Sequence, residues 1–120
     1  VELINLHSIS HPDKKMICRS VEKTGKMLVA DTSWPEYGVA AEMNRIVNEY
    51  NPSSLKAPTK SMGMVSTPCP TAKALEDMYY PDVHDICNIV NKMVNGDSSV
   101  IDLPKKESMT DFYKHFKGPF

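Results

Sequence analysis

Residues 28–47 read Leu-Val-Ala-Asp-Thr-Ser-Trp-Pro-Glu-Tyr-Gly-Val-Ala-Ala-Glu-Met-Asn-Arg-Ile-Val: a short apolar run, a polar turn, then apolar residues at helical spacing. The run suits a buried strand. In the turn, Pro35 fixes one φ angle, while Gly38 tolerates a left-handed φ. A strand feeding a helix in this way is half of a βαβ unit, which commits the chain to layers of helices on a sheet. The spacing predicts a helix over 37–50, with Val39, Met43, Ile46, Val47 and Tyr50 inward and Glu42, Arg45 and Glu49 left for solvent.

The flanking segments continue the pattern. Residues 1–6 (VELINL) are rich in branched side chains and alternate weakly, as a strand does. A turn follows, and a helix is expected over 12–24 with Met16, Ile17, Cys18 and Val21 on its inner side. Gly25 stands where a left-handed residue closes a helix. The second strand is expected over 26–31, its unbroken Met27-Leu28-Val29-Ala30 run suited to a parallel strand covered on both faces. A third is expected over 57–65, interrupted by Gly63. Pro68 and Pro70 make 66–71 a stiff connector, before helical pieces at 71–79 and 82–95. Asp82 is the expected N-cap of the second piece, with Val83, Ile86, Ile89, Val90 and Met93 on one side and Gly96 at its end. Alternating strands and helices on short connections give an α/β fold: a three-layer αβα arrangement with a mainly parallel sheet.

At 120 residues the chain has the size of one domain, expected over 1–96 with a polar tail over 97–120. The tail carries Phe112, Tyr113, Phe116 and Phe120, more aromatics than a solvated terminus holds, so something must cover them. With 14 Lys and Arg against 15 Asp and Glu, the net charge of -1 provides no basic field of the kind that nucleic acid or an anionic membrane selects. The three cysteines are odd in number and far apart, which reads as a reducing compartment and here as the cytoplasm. No stretch approaches the length of a membrane-crossing helix, and no secretory signal pattern opens the chain.

Several segments in order carry a family resemblance. They are residues 1–6, His11-Pro12-Asp13, 20–29 (SVEKTGKMLV), Gly38-Val39-Ala40-Ala41-Glu42, Leu55-Lys56-Ala57-Pro58, Thr67-Pro68-Cys69-Pro70 and 75–81 (LEDMYYP). Over about 1–94 the sequence resembles the C-terminal domain of the transketolase superfamily, and more narrowly the end of the β subunit of thiamine-diphosphate-dependent E1 components of 2-oxoacid dehydrogenase complexes. The resemblance implies a three-layer αβα domain. It also implies a strand and helix ahead of the segment matching 1–6, so the chain reads as a piece of a longer subunit. In the family, thiamine diphosphate and its divalent cation sit between other domains, and the C-terminal domain supports assembly. Implied partners are the upstream domains of the same subunit, an E1 α-type subunit, a second β subunit and, in some members, E2. The sequence departs from the family at Asp31-Thr32-Ser33-Trp34, where a pair of acidic residues and a small one are usual, and again after Gly96.

Chemistry-bearing residues are sparse. His84 and Cys87 lie three apart on a helix, too few for a structural zinc. His7 and His11 flank a turn without a carboxylate or nucleophile at a defined spacing. Asp31 ends a strand as a phospho-acceptor does, but the strand end at Asn5-Leu6-His7 supplies no acidic pair to hold a cation. Cys69 has no basic neighbour to lower its pKa. No glycine-rich phosphate loop occurs. Trp34 and Tyr37 precede a helix at the carboxyl end of a strand, where open α/β sheets bind ligands, and with Phe112, Tyr113, Phe116 and Phe120 they form the expected interface set. The reading is an assembly domain, with no catalytic, cofactor or metal residue of its own and an inactive isolated chain. The alternative is a free-standing α/β binding module; a complete small enzyme lacks the acid, base and nucleophile it would need.

Overall fold

The structure, a computed structural model, describes residues 1–76, 78–97, 100–104 and 114. It divides into two compact units, Val1–Gly63 and Met64–Phe120.

In the first unit, α1 (Lys14–Thr24) opens where the Asp13 carboxylate accepts the Met16 N–H at 3.0 Å. It closes at Gly25, whose φ of 71° only glycine adopts cheaply. β1 (Leu28–Ala30) leads through a turn to α2 (Val39–Tyr50), and a single 3-10 turn at Pro52–Ser54 precedes β2 (Lys60–Met62). β1 and β2 pair in parallel, Leu28 opposite Lys60 and Ala30 opposite Met62. Parallel neighbours need a crossover, and α2 is that crossover. The core is built by Ile17, Cys18 and Val21 of α1, Met27 beside β1, and Met43, Ile46 and Val47 of α2. Leu6, Val29, Val39 and Leu55 pack on it partly buried. Burial pushes the Cys18 thiol pKa up, so this sulfur is held protonated in the core.

Most of the expected α/β pattern is present, and the departures have reasons. Residues 1–6 form no strand among the described residues, because a strand exists only where a neighbour completes its ladder, and the sheet here consists of β1 and β2. The segment is instead tied to α1 by the Glu2–Lys23 ion pair, while Leu6 is drawn onto the core. Met16 and Tyr50, expected inward, are 43% and 56% exposed. Both lie at the margin of the stripe that their helix buries. The second strand covers three residues of the six expected and the third three of nine, the paired register running only from Leu28 opposite Lys60 to Ala30 opposite Met62.

The outer face of α2 is charged as expected. Arg45 bridges Glu42 and Glu49, its Nε donating to Glu42 at 2.7 Å. These bonds hold the Glu42 carboxyl below the ordinary glutamate range. The stabilisation from this pairing is therefore complete above the ordinary value of 4.5 and lost as pH falls through the lower folded value. A carbon-detected NMR titration is expected to find Glu42 titrating below the ordinary glutamate value of 4.5 in the folded chain. In Arg45→Ala the Glu42 midpoint should rise; an unmoved midpoint would refute the pairing.

In the second unit, Tyr79 is the buried anchor. Its hydroxyl donates to the Thr67 carbonyl at 2.9 Å and its own carbonyl accepts the Val65 N–H at 3.1 Å, so the start of the proline-rich connector is fastened to it. Tyr80 meets the Tyr79 ring edge to face at 4.8 Å. The helical piece expected over 71–79 is one turn, α3 (Lys73–Glu76), and residue 77 lies outside the described residues. α4 (Val83–Asn95) follows, with Asp82 as N-cap and Asp85 completing a reciprocal capping box.

Candidate functional site

The carboxyl end of β1 carries the turn 31–38, and its shape follows from four local contacts. Asp31 N–H still donates to the Met62 carbonyl at 3.0 Å, which fixes the start of the turn to the end of β2. The Ser33 hydroxyl donates to the Asp31 carboxylate, folding the chain back on itself. Gly63, just past β2, lies against the Ser33 carbonyl, and a Cβ there would also stand 2.9 Å from Pro35 Cδ. The far end is taken up by α2, as Ala41 N–H donates to the Gly38 carbonyl at 3.1 Å. The turn is thus braced on both sides by regular structure.

What it displays is aromatic. Tyr37 has a φ of 61°, a left-handed conformation that an aromatic residue occupies at a cost of about 1–2 kcal/mol. Its side chain is fully exposed. Trp34, three residues earlier, is 47% exposed. Both lie on the turn between the carboxyl end of β1 and the start of α2, the position expected from the sequence. The left-handed Tyr37 was not expected, since the periodicity ran the helix back to it; the Pro35 and Gly38 spacing was the available signal.

The remaining candidates stay apart. The backbone N–H of His7 donates to Asn5 Oδ1 and that of His11 to Ser8 Oγ, each at 3.2 Å, while the His11 ring meets Ser10 Oγ at 3.1 Å, so both residues sit in a local turn. His84 Nε2 is engaged by the Pro104 carbonyl. Cys69 is exposed, its Sγ 4.0 Å from the Tyr80 hydroxyl, and that contact raises the Tyr80 pKa. Among the described residues no three His, Cys, Asp or Glu side chains converge as a metal site would require. Phe112, Tyr113, Phe116 and Phe120 lie outside the described residues.

Residues 1–86 match the family described as transketolase, C-terminal domain. The chain is 36% identical over 96 residues to the mitochondrial pyruvate dehydrogenase E1 component subunit beta of Drosophila melanogaster, covering 79% of this chain and 26% of that protein. The same subunit of Mus musculus is 38% identical over 95 residues, and that of Saccharomyces cerevisiae 34% over 95, each covering 78% of this chain and 26% of the relative. The chain thus spans about a quarter of the length of these relatives. Their names also correct the cytoplasmic expectation: these proteins are mitochondrial, and scarce, scattered cysteines report a reducing compartment without saying which one. With a family match running through both helices and the β1–β2 pair of the first unit, the chain belongs to the transketolase C-terminal domain family.

Proposed function

We propose that this chain is the C-terminal assembly domain of a mitochondrial, pyruvate dehydrogenase-type E1 β subunit, and that the turn 31–38 is a contact surface for a neighbouring subunit. The observation that carries the reading is Tyr37, an aromatic side chain held fully exposed in a left-handed conformation on a turn braced by β2. Strain of this kind persists where surrounding structure enforces it, and large exposed aromatics supply the anchors of interfaces. The described residues do not fit a divalent cation with its ligands. In this reading thiamine diphosphate, which supplies the decarboxylation chemistry in E1 enzymes, is held between other domains of the parent subunit, and an E1 α-type chain and a second β copy are the expected neighbours.

The test is to purify the native protein gently from its source and weigh it together with its co-purifying chains. A heavier polypeptide containing this sequence, with an α-type partner and thiamine diphosphate, supports the reading. A native chain of about 13.5 kDa with neither overturns it in favour of a free-standing binding module. Within the assembled enzyme, Trp34→Ala with Tyr37→Ala is expected to weaken subunit association by about 2 kcal/mol, measured by sedimentation, while leaving the domain folded. Unchanged association would remove the turn from the interface.

A further inference from the structure

The outward side of α1 carries a row of cations. Lys15, Arg19 and Lys23 are spaced four apart, which stacks them along one face of the helix, turned away from buried Ile17, Cys18 and Val21. Where this row meets residues 1–6, an open recess of about 690 Å³ is lined by Leu3 and Ile4 of that segment and by Lys15, Met16, Arg19 and Lys23 of α1. The described residues leave much of its apolar surface uncovered, with Leu3 99% and Met16 43% exposed. Cations and bare apolar groups therefore share one recess.

The chain itself shows which chemistry the row accepts. The Glu2 carboxylate pairs with Lys23 and takes Ser20 as a second donor, and these contacts hold its carboxyl below the ordinary glutamate range. One cation of the three is thereby matched. Lys15 and Arg19, next in the row toward the start of α1, have no acidic partner among the described residues. A single exposed ion pair contributes little, so an occupant held here adds apolar burial to its charge, and Leu3 and Met16 are where that burial is available. A phosphate chain fits badly, because the Glu2 and Asp13 carboxylates line the same recess and the net charge of the chain is -1.

We propose that the recess between residues 1–6 and α1 docks an acidic, leucine-bearing segment of a partner protein, its carboxylates on Lys15 and Arg19 and its apolar side chains on Leu3 and Met16. Four helical residues rise about 6 Å, so the two cations match carboxylates two apart on an extended segment, which lie about 7 Å from one another. Complementary charge sets the register, and the apolar contact holds it. This inference does not rest on the assembly reading, since the turn 31–38 takes no part in it.

The probe is a fluorescein-labelled peptide of three Glu-Leu-Glu-Ser repeats, its binding to the full chain read by fluorescence anisotropy. It is expected to bind saturably, and the same peptide with Gln in place of Glu about tenfold more weakly. K15E/R19E should weaken the acidic peptide about tenfold and L3S several-fold. Circular dichroism checks that each variant is folded; should the charge reversal fail to fold, K15Q/R19Q replaces it with a several-fold loss expected. No saturable binding up to about 1 mM protein overturns the proposal, as does equal binding by the charge variant. Oligodeoxythymidine bound as tightly as the peptide would make the row a general polyanion surface and overturn it too. In the gently purified native protein, carbodiimide joins lysine to a touching carboxylate. A Lys15 link to a different chain supports the proposal; a link to its own subunit, or none, overturns it.

Discussion

Replacing Gly63 with alanine is expected to lower the free energy of unfolding by about 3 kcal/mol, the upper range for forcing one methyl group into a filled space. The added Cβ would fall on the Ser33 carbonyl, which is backbone, and 2.9 Å from Pro35 Cδ, part of a rigid ring. Neither can rotate away as the end of a long side chain would. Relief requires the turn to lift off the end of β2, which breaks the Asp31 N–H bond to the Met62 carbonyl and releases the platform under Trp34 and Tyr37. Urea unfolding measures the loss. A change within about 0.5 kcal/mol, the range of ordinary surface substitutions, would show that the turn is softer than its contacts indicate.

Ile46→Ala is expected to cost as much or more, about 3–4 kcal/mol, by the opposite route of leaving a hole. Ile46 is 4% exposed and sits between Met43 and Val47 on the face of α2 that meets Ile17, Cys18 and Val21. Two helices and the β1 side of the core therefore all lose contacts at once, and a helix backbone cannot close a gap three methylene-sized groups wide. Urea unfolding again gives the number, and the same experiment on Ile46→Val should give about 1 kcal/mol. A loss below about 1 kcal/mol for the alanine variant would mean that the core between α1 and α2 collapses freely.

How legible this was in the sequence differs from element to element. α1 and α2 were, because Asp13, Gly25 and the apolar spacing each state a start, a stop and an inner face that local physics enforces. β1 was legible as a run and β2 less so, since Lys60 and Ser61 are exposed and only Met62 is buried. Residues 1–6 carry a strand's pattern without being one, for the reason that pattern states preference while pairing depends on a neighbour elsewhere in the chain. The turn displaying Trp34 and Tyr37 could be located from Pro35 and Gly38. Its bracing could not, because Gly63 read as a flaw in a strand and Asp31 as an isolated acid. Their roles, holding the Ser33 carbonyl and the Ser33 hydroxyl, appear only when β1 and β2 lie side by side.

That side-by-side pairing has a kinetic side. Leu28 meets Lys60 across the whole of α2 and the 3-10 turn, so the two strands cannot zip together from a hairpin as antiparallel neighbours do. Closing so long a loop for three residue pairs is unprofitable until α2 has formed and docked on α1, shortening the distance to be bridged. The sheet is therefore expected to be the last part of the first unit to assemble, with the aromatic turn, shaped by Gly63, finished alongside it.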